Sequence, residues 1–262
     1  MKLVTKAVEK VWGRSELPPP FESGEEPIGE IWFEPPAELP QVLVKYLFTS
    51  EKLSVQVHPS NAEAPQGSRG KEECWLVLDA EPGATLAIGF KQDISRDAMR
   101  AAALDGSIED ALEWHPVKAG DFFYLPAGTV HAIGPGLTLV EVQQNSDITY
   151  RLFDYGRPRE LHLDEGLAVA KGEPYPPACR QEVPESASRT LVDGPFFRFS
   201  QCAGAPDAGI RATHSGALLA LPLAGSLGIG GEIIAAGECG LARSIADMDF
   251  TSARRTLLVS AA

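Results

Sequence analysis

Apolar runs in this chain are short, and glycines and prolines punctuate the stretches between them. Val42–Phe48, Leu53–His58, Glu73–Leu78, Ala84–Phe90, Phe122–Leu125 and Leu137–Gln143 are each four to seven residues long and rich in β-branched or aromatic side chains. Such runs read as strands. With 21 prolines and 25 glycines among 262 residues to separate them, long helices have little room. Nothing resembles the strand–helix alternation of a parallel α/β sheet, so the expected class is all-β, as a sandwich or barrel.

Helical periodicity is confined to Ser95–Trp114. There Ser95 can cap Arg96–Leu104, Asp105-Gly106 breaks the pattern, and Ser107 can cap Ile108–Trp114. This reads as a short helical insertion, about 95–114, between strands. Residues 1–40 read as mostly irregular apart from a strand at Ile28–Phe33, and Asn61–Gly70 as a loop across the mouth of a site. Residues 156–190 hold five prolines and three glycines, the breaker density of a connector. The expected organisation is a first domain over 1–158, a connector over 159–190 and a smaller β-domain over 191–262.

The formal charge of −13 opposes a nucleic-acid partner, which requires a basic face. No run of 18 apolar residues offers a membrane span. Met1–Lys10 is too charged for a secretory signal, and Cys74, Cys179, Cys202 and Cys239 show no close spacing. Together these predict reduced thiols in a cytoplasmic protein. An anionic ligand would need a local cluster of cations against the overall charge.

One stretch carries a candidate chemistry. On a strand, Gln56 and His58 emerge on one face while Val55 and Val57 point the other way. Taken alone this reads as an ordinary strand end with one exposed histidine, because a metal site needs several ligands. Glu73 opens a later strand on the face of Trp75 and Val77, whereas its neighbour Glu72 shares the face of Cys74 and Leu76. His131 follows the turn Pro126-Ala-Gly-Thr. Gln, His, Glu and His form a mixed nitrogen and oxygen set suited to a divalent ion such as zinc, with room for water or substrate. The order His…Glu…Gly-Asp…Pro-x-Gly-x-x-His also fits the two-motif layout of a cupin barrel.

Longer motifs sharpen this. Gln56-Val-His58-Pro, Gly70-Lys-Glu-Glu-Cys-Trp75, Pro126-Ala-Gly-Thr-Val-His131-Ala-Ile and Glu141-Val-Gln-Gln-Asn-Ser-Asp-Ile-Thr-Tyr-Arg151-Leu-Phe-Asp154 resemble type I mannose-6-phosphate isomerases. Trp12-Gly13 and Gly29-Glu30-Ile-Trp32 add to the likeness, which spans about residues 8–158. The resemblance implies a double cupin with one zinc ion per chain and interconversion of mannose 6-phosphate and fructose 6-phosphate through an enediol. It makes Gln56, His58, Glu73 and His131 the zinc ligands, Arg151 the active-site arginine, and Lys71 and Glu141 pocket residues. The second half holds a single histidine, His214, and reads as a degenerate cupin without its own metal.

The alternatives are a metal-dependent cupin dioxygenase with iron on the same ligands, or a non-catalytic sugar-binding bicupin. The implied partner is a sugar phosphate, with a monomer or dimer both open. Trp75 is expected as pocket wall, Arg157 and Arg159 as solvated charges, His115 in a solvated loop, and His162 and His214 as structural.

Overall fold

The computed structural model describes residues 1–262. In chain order the elements begin with strands β1 (Thr5–Arg14), β2 (Ile28–Phe33), β3 (Val42–Phe48), β4 (Val55–Val57), β5 (Glu73–Ala80) and β6 (Thr85–Phe90). Helices α1 (Arg96–Asp105) and α2 (Ile108–Ala111) precede β7 (Leu112–Pro116), β8 (Asp121–Leu125), β9 (His131–Ile133), β10 (Leu137–Gln144) and β11 (Tyr150–Phe153). Helix α3 (Leu163–Val169) and β12 (Arg180–Glu182) follow. The remainder comprises β13 (Arg189–Asp193), β14 (Phe197–Cys202), α4 (Ala208–Thr213), β15 (Leu218–Ile229), β16 (Glu232–Ala235), β17 (Gly240–Ala242), β18 (Met248–Asp249) and β19 (Ala253–Ala261).

The protein is mostly antiparallel β-sheet with few helices. The first sheet runs β1-β2-β3-β10-β5-β8-β12 and the second β11-β4-β9-β6-β7; the third runs β13-β14-β19-β15-β16, with β17 and β18 also on β15. Trp75, Val77, Phe123 and Leu139 of the first sheet pack against Leu86, Ile88 and Ile133 of the second. The outer face of the second sheet, through Val55, Val57 and Ala132, is covered by Met99 and Ala103 of α1, Ile108 of α2 and Leu167 of α3. On the other side of the first sheet, Tyr46, Phe48, Leu76, Phe122 and Val140 bury against Phe197, Phe199, Leu219 and Leu257 of the third. The strand parity expected for β5 therefore holds: Trp75 and Val77 face the second sheet while Cys74 and Leu76 face the third.

Three local expectations are corrected. Residues 5–14 form a ten-residue strand where irregular chain was expected. As the edge of the first sheet it carries Lys6, Glu9, Lys10 and an exposed Val11, so it lacks the apolar alternation that marks an interior strand. The second helix stops at Ala111, and Leu112–Pro116 is strand. Pro116 disfavours helix for the residue before it, and Trp114 and His115 pair with Ala87 and Leu86 of β6. His115 is thus in a strand rather than a solvated loop. Ser95 does cap its helix by accepting from the Ala98 N–H at 3.2 Å, but the Ser107 hydroxyl donates to Asp105 instead.

In the smaller β-region Leu218–Ile229 forms one continuous strand of 12 residues. Gly225 makes the continuity possible at φ 79°, and a β-carbon there would lie 2.2 Å from the Ser252 carbonyl. Past that point β15 exchanges β17 and β19 for β16 and β18 as partners. In the 159–190 segment, β12 pairs with β8 at the far edge of the first sheet.

Candidate metal centre and active site

Three strands converge on one point. Gln56 of β4 pairs directly with His131 of β9, and Arg151 of β11 pairs with Gln56 from the other side. Glu73, at the start of β5, faces them across the gap between the first two sheets. His58, Glu73 and His131 are all buried, and one ligand atom from each lies within 4.8 Å of the others.

Both histidines are oriented by backbone carbonyls, which can only accept a hydrogen bond. His131 Nδ1 donates to Thr129 O at 2.9 Å and His58 Nδ1 donates to Ile148 O at 2.8 Å. The proton is thereby fixed on Nδ1 and the Nε2 lone pair is left pointing at Glu73, the arrangement typical of a metal-ligating histidine. His131 Nε2 lies 3.4 Å from Glu73 Oε1 and His58 Nε2 lies 3.6 Å from Glu73 Oε2. Two ligand atoms each ~2.0–2.1 Å from a tetrahedral ion are separated by about 3.4 Å, so the spacing matches such an ion.

The protonation states agree with that use. Burial, together with the Lys71 ammonium, holds the His58 imidazole well below its ordinary value; burial also lowers His131. For Glu73 burial works the other way, but the Lys71 ammonium beside it holds the carboxyl well below the usual carboxylate range. Neutral imidazoles and an ionised carboxylate are the forms a metal binds. The residues therefore fit a divalent cation. Gln56 presents its amide to the same point, with Nε2 3.3 Å from His131 Nε2; a half-turn of the amide would present the oxygen.

A cavity of about 410 Å³ adjoins the triad, lined by its neighbours Gln56 and Lys71 though not by His58, Glu73 or His131 themselves. Five cations, Lys10, Lys45, Lys71, Arg151 and Arg159, line it against the acids Glu30, Glu141 and Asp147. The local positive excess expected for an anionic ligand is thus present in an acidic chain. Lys71 Nζ lies 2.9 Å from Glu73, 3.1 Å from His58 Nε2 and 3.9 Å from Glu141. Glu141 forms an ion pair with Lys45 at 2.9 Å, and burial, reinforced by nearby Glu73, raises its carboxyl pKa. Arg151 donates from Nη1 to Glu160 O at 2.6 Å and leaves Nε without a partner.

Other expectations shift. Arg159 is no solvated charge: it lines the cavity and is held by a bidentate pair with Asp154, both contacts at 2.6 Å. Arg157 is also tied down, by Asp154 and by Lys52 O. Trp75 is fully buried and forms no part of the cavity wall. No residue of 61–70 lines the cavity, and that segment folds as turns beside it. His162 accepts from the Arg151 N–H, and His214 sits between Ser200 and Ser260 in the other half.

The residues missed are Lys45 and the group around it. Lys45 pairs with Glu30 at 3.5 Å as well as with Glu141, and Lys10 reaches Glu30 at 3.8 Å. A lysine amid the apolar run Val42–Phe48 was itself a signal, because buried lysines are rarely unpaired.

The fold and site define a β-sheet protein with a buried two-histidine, one-glutamate centre beside an electropositive cavity. No family model matches the chain. Mannose-6-phosphate isomerase of Streptococcus mutans serotype c is 41% identical over 167 residues, covering 60% of this chain and 52% of that protein. Mannose-6-phosphate isomerase ManA of Bacillus subtilis is 36% identical over 168 residues, covering 60% and 53%. The chain thus spans about half the length of the curated relatives it matches. The crystal structure of mannose 6-phosphate isomerase from Bacillus subtilis superposes with a TM-score of 0.77 at 22% identity, over 99% of this chain and 98% of that one. A zinc-bound mannose 6-phosphate isomerase superposes at 0.70 and 15% identity, over 99% and 98%. The fold is the one those structures share. No helix is long and apolar enough to cross a membrane.

Proposed function

We propose that this chain is an aldose–ketose isomerase that interconverts mannose 6-phosphate and fructose 6-phosphate through an enediol. The ion is zinc, one per chain, held by His58, Glu73 and His131 with Gln56 as fourth ligand. The observation that carries this reading is the convergence of the triad beside a cation-lined cavity that Gln56 and Lys71 share with it. Support comes from relatives of that name at 36–41% identity. A double cupin, with a catalytic unit over 1–158 and a metal-free unit over 191–262, is the proposed architecture.

When bound, zinc supplies a Lewis acid that polarises the sugar's carbonyl and hydroxyl oxygens. The chain's own residues do the rest. Arg151 and Arg159, which both line the cavity, take the phosphate, for which guanidinium groups are suited. Glu141, its pKa raised by burial, is placed to take the proton from C2 and return it to C1. Lys71, beside Glu73 and Glu141, steadies the negative charge that develops on the sugar oxygens. Trp12, Leu47, Leu53 and Ile133 form an apolar wall that limits water.

The test measures bound metal in the purified protein and the isomerisation of mannose 6-phosphate with and without a chelator. Stoichiometric zinc and chelator-sensitive turnover are expected, and His131→Ala should lose both. Turnover that survives in His131→Ala overturns the reading. Bound iron with no isomerisation points to the dioxygenase instead.

A further inference from the structure

Trp75 has no part in the reactions above, yet its placement is specific. A row of side chains crosses the first sheet from strand to strand. Trp32 of β2 pairs with Lys45 of β3, Lys45 with Glu141 of β10, and Glu141 with Trp75 of β5. The row places an ion pair between two indoles. Lys45 Nζ lies 5.5 Å from the Trp32 ring centroid at one end. At the other, Trp75 Nε1 donates to Glu141 Oε2 at 3.0 Å.

The two oxygens of Glu141 thus have separate tasks. Oε2 is occupied by the indole, while Oε1 faces Lys45 at 2.9 Å and Lys71 at 3.9 Å. Glu141 is 3% exposed, so without Trp75 its Oε2 loses the one indole donor and the carboxylate is held from the Oε1 side alone. The same indole meets the His131 ring edge-on, with centroids 5.2 Å apart at 75°. One rigid, fully buried side chain therefore touches both the ligand set and the acidic group beside it.

We propose that Trp75 is a positioning residue: its indole N–H fixes the Glu141 carboxylate so that one oxygen stays directed at the lysines and the cavity. The proposal rests on the isomerase reading for its kinetic test and on geometry alone for its spectroscopic one. A purely structural tryptophan would fill space between the sheets without aiming Glu141.

Trp75→Phe keeps an aromatic ring and removes the N–H. Loss of a hydrogen bond to a charged group is expected to lower kcat by about tenfold to a hundredfold, with KM within about twofold and zinc content unchanged. In a Glu141→Gln background the same substitution should cost little more, because the two residues act as a unit. Independently of turnover, the four tryptophans give separate indole N–H signals in a nitrogen–proton correlation spectrum. The signal absent from Trp75→Phe identifies Trp75, and it should move upfield in Glu141→Gln as the charge-assisted bond weakens. If Trp75→Phe does not fold, the signal is assigned by selective labelling and the Glu141→Gln shift decides. An unmoved indole signal overturns the proposal, as does an equal loss of kcat in both backgrounds. A wild-type protein that does not isomerise mannose 6-phosphate would defeat the functional reading, while the indole shift would still decide this one.

Discussion

Lys45 shows how a single buried charge ties the site to stability. Burial disfavours its ammonium, but Glu141 and Glu30 more than reverse this and its pKa is raised. Lys45→Met would leave two buried carboxylates facing each other without their shared cation. Removing one partner of a buried ion pair typically costs about 3–5 kcal/mol, so a clear drop in thermal midpoint is expected. An unchanged midpoint would show that Lys71 and Lys10 suffice. His214 poses a separate question in the other half. It bridges Ser260 at 2.9 Å and Ser200 at 2.8 Å, and burial depresses its pKa from 6.5 to about 4. The folded state therefore disfavours the protonated ring. The stability this group contributes is full above pH 6.5 and is lost as pH falls toward 4, to a limit of about 3 kcal/mol. Unfolding midpoints measured from pH 7.5 to 4.5 should fall less steeply in His214→Gln than in the wild type. Parallel curves would remove His214 from the pH dependence.

At the scale of elements, the site depends on how closely two backbone segments approach. Lys71 N–H donates to Pro59 O at 2.9 Å, locking the run before β5 against the chain that follows His58. Gly70 permits this: a β-carbon there would lie 2.5 Å from the Asn61 nitrogen and 2.8 Å from Pro59 O. Gly70→Ala must push the two segments apart, moving Lys71 and His58 together. A stability loss of about 1–3 kcal/mol is expected, with weaker metal retention measured by chelator competition. Retention equal to the wild type would show that the approach is not needed.

Strand identity was legible where apolar runs were interior. β2 and β3 have the bounds expected, because Ile28–Phe33 and Val42–Phe48 are almost wholly buried and carry the β pattern openly. The edge strand β1 was not legible, since only one of its sides is paired and its charges disguise it. Nor was the shortened α2, where pairing with β6 overrides local helical spacing.

Across the whole molecule, the site lies between the first two sheets while the third sheet backs the first through Phe197, Phe199 and Leu257. The triad could be assembled from sequence because strand parity and motif order both pointed to it. The Lys45–Glu30 pair and the Trp75 bond to Glu141 could not, because both depend on cross-strand register between distant segments. The same layering places five cavity cations, against three acids, in a chain of net charge −13, a local positive excess suited to an anion. The most direct measurement follows mannose 6-phosphate by proton NMR in deuterium oxide with the zinc-loaded protein. Fructose 6-phosphate signals should grow while the mannose C2 proton signal fades, and deuterium should enter the sugar through the enediol. Sugar signals that stay unchanged, with zinc fully bound, would contradict the isomerase assignment.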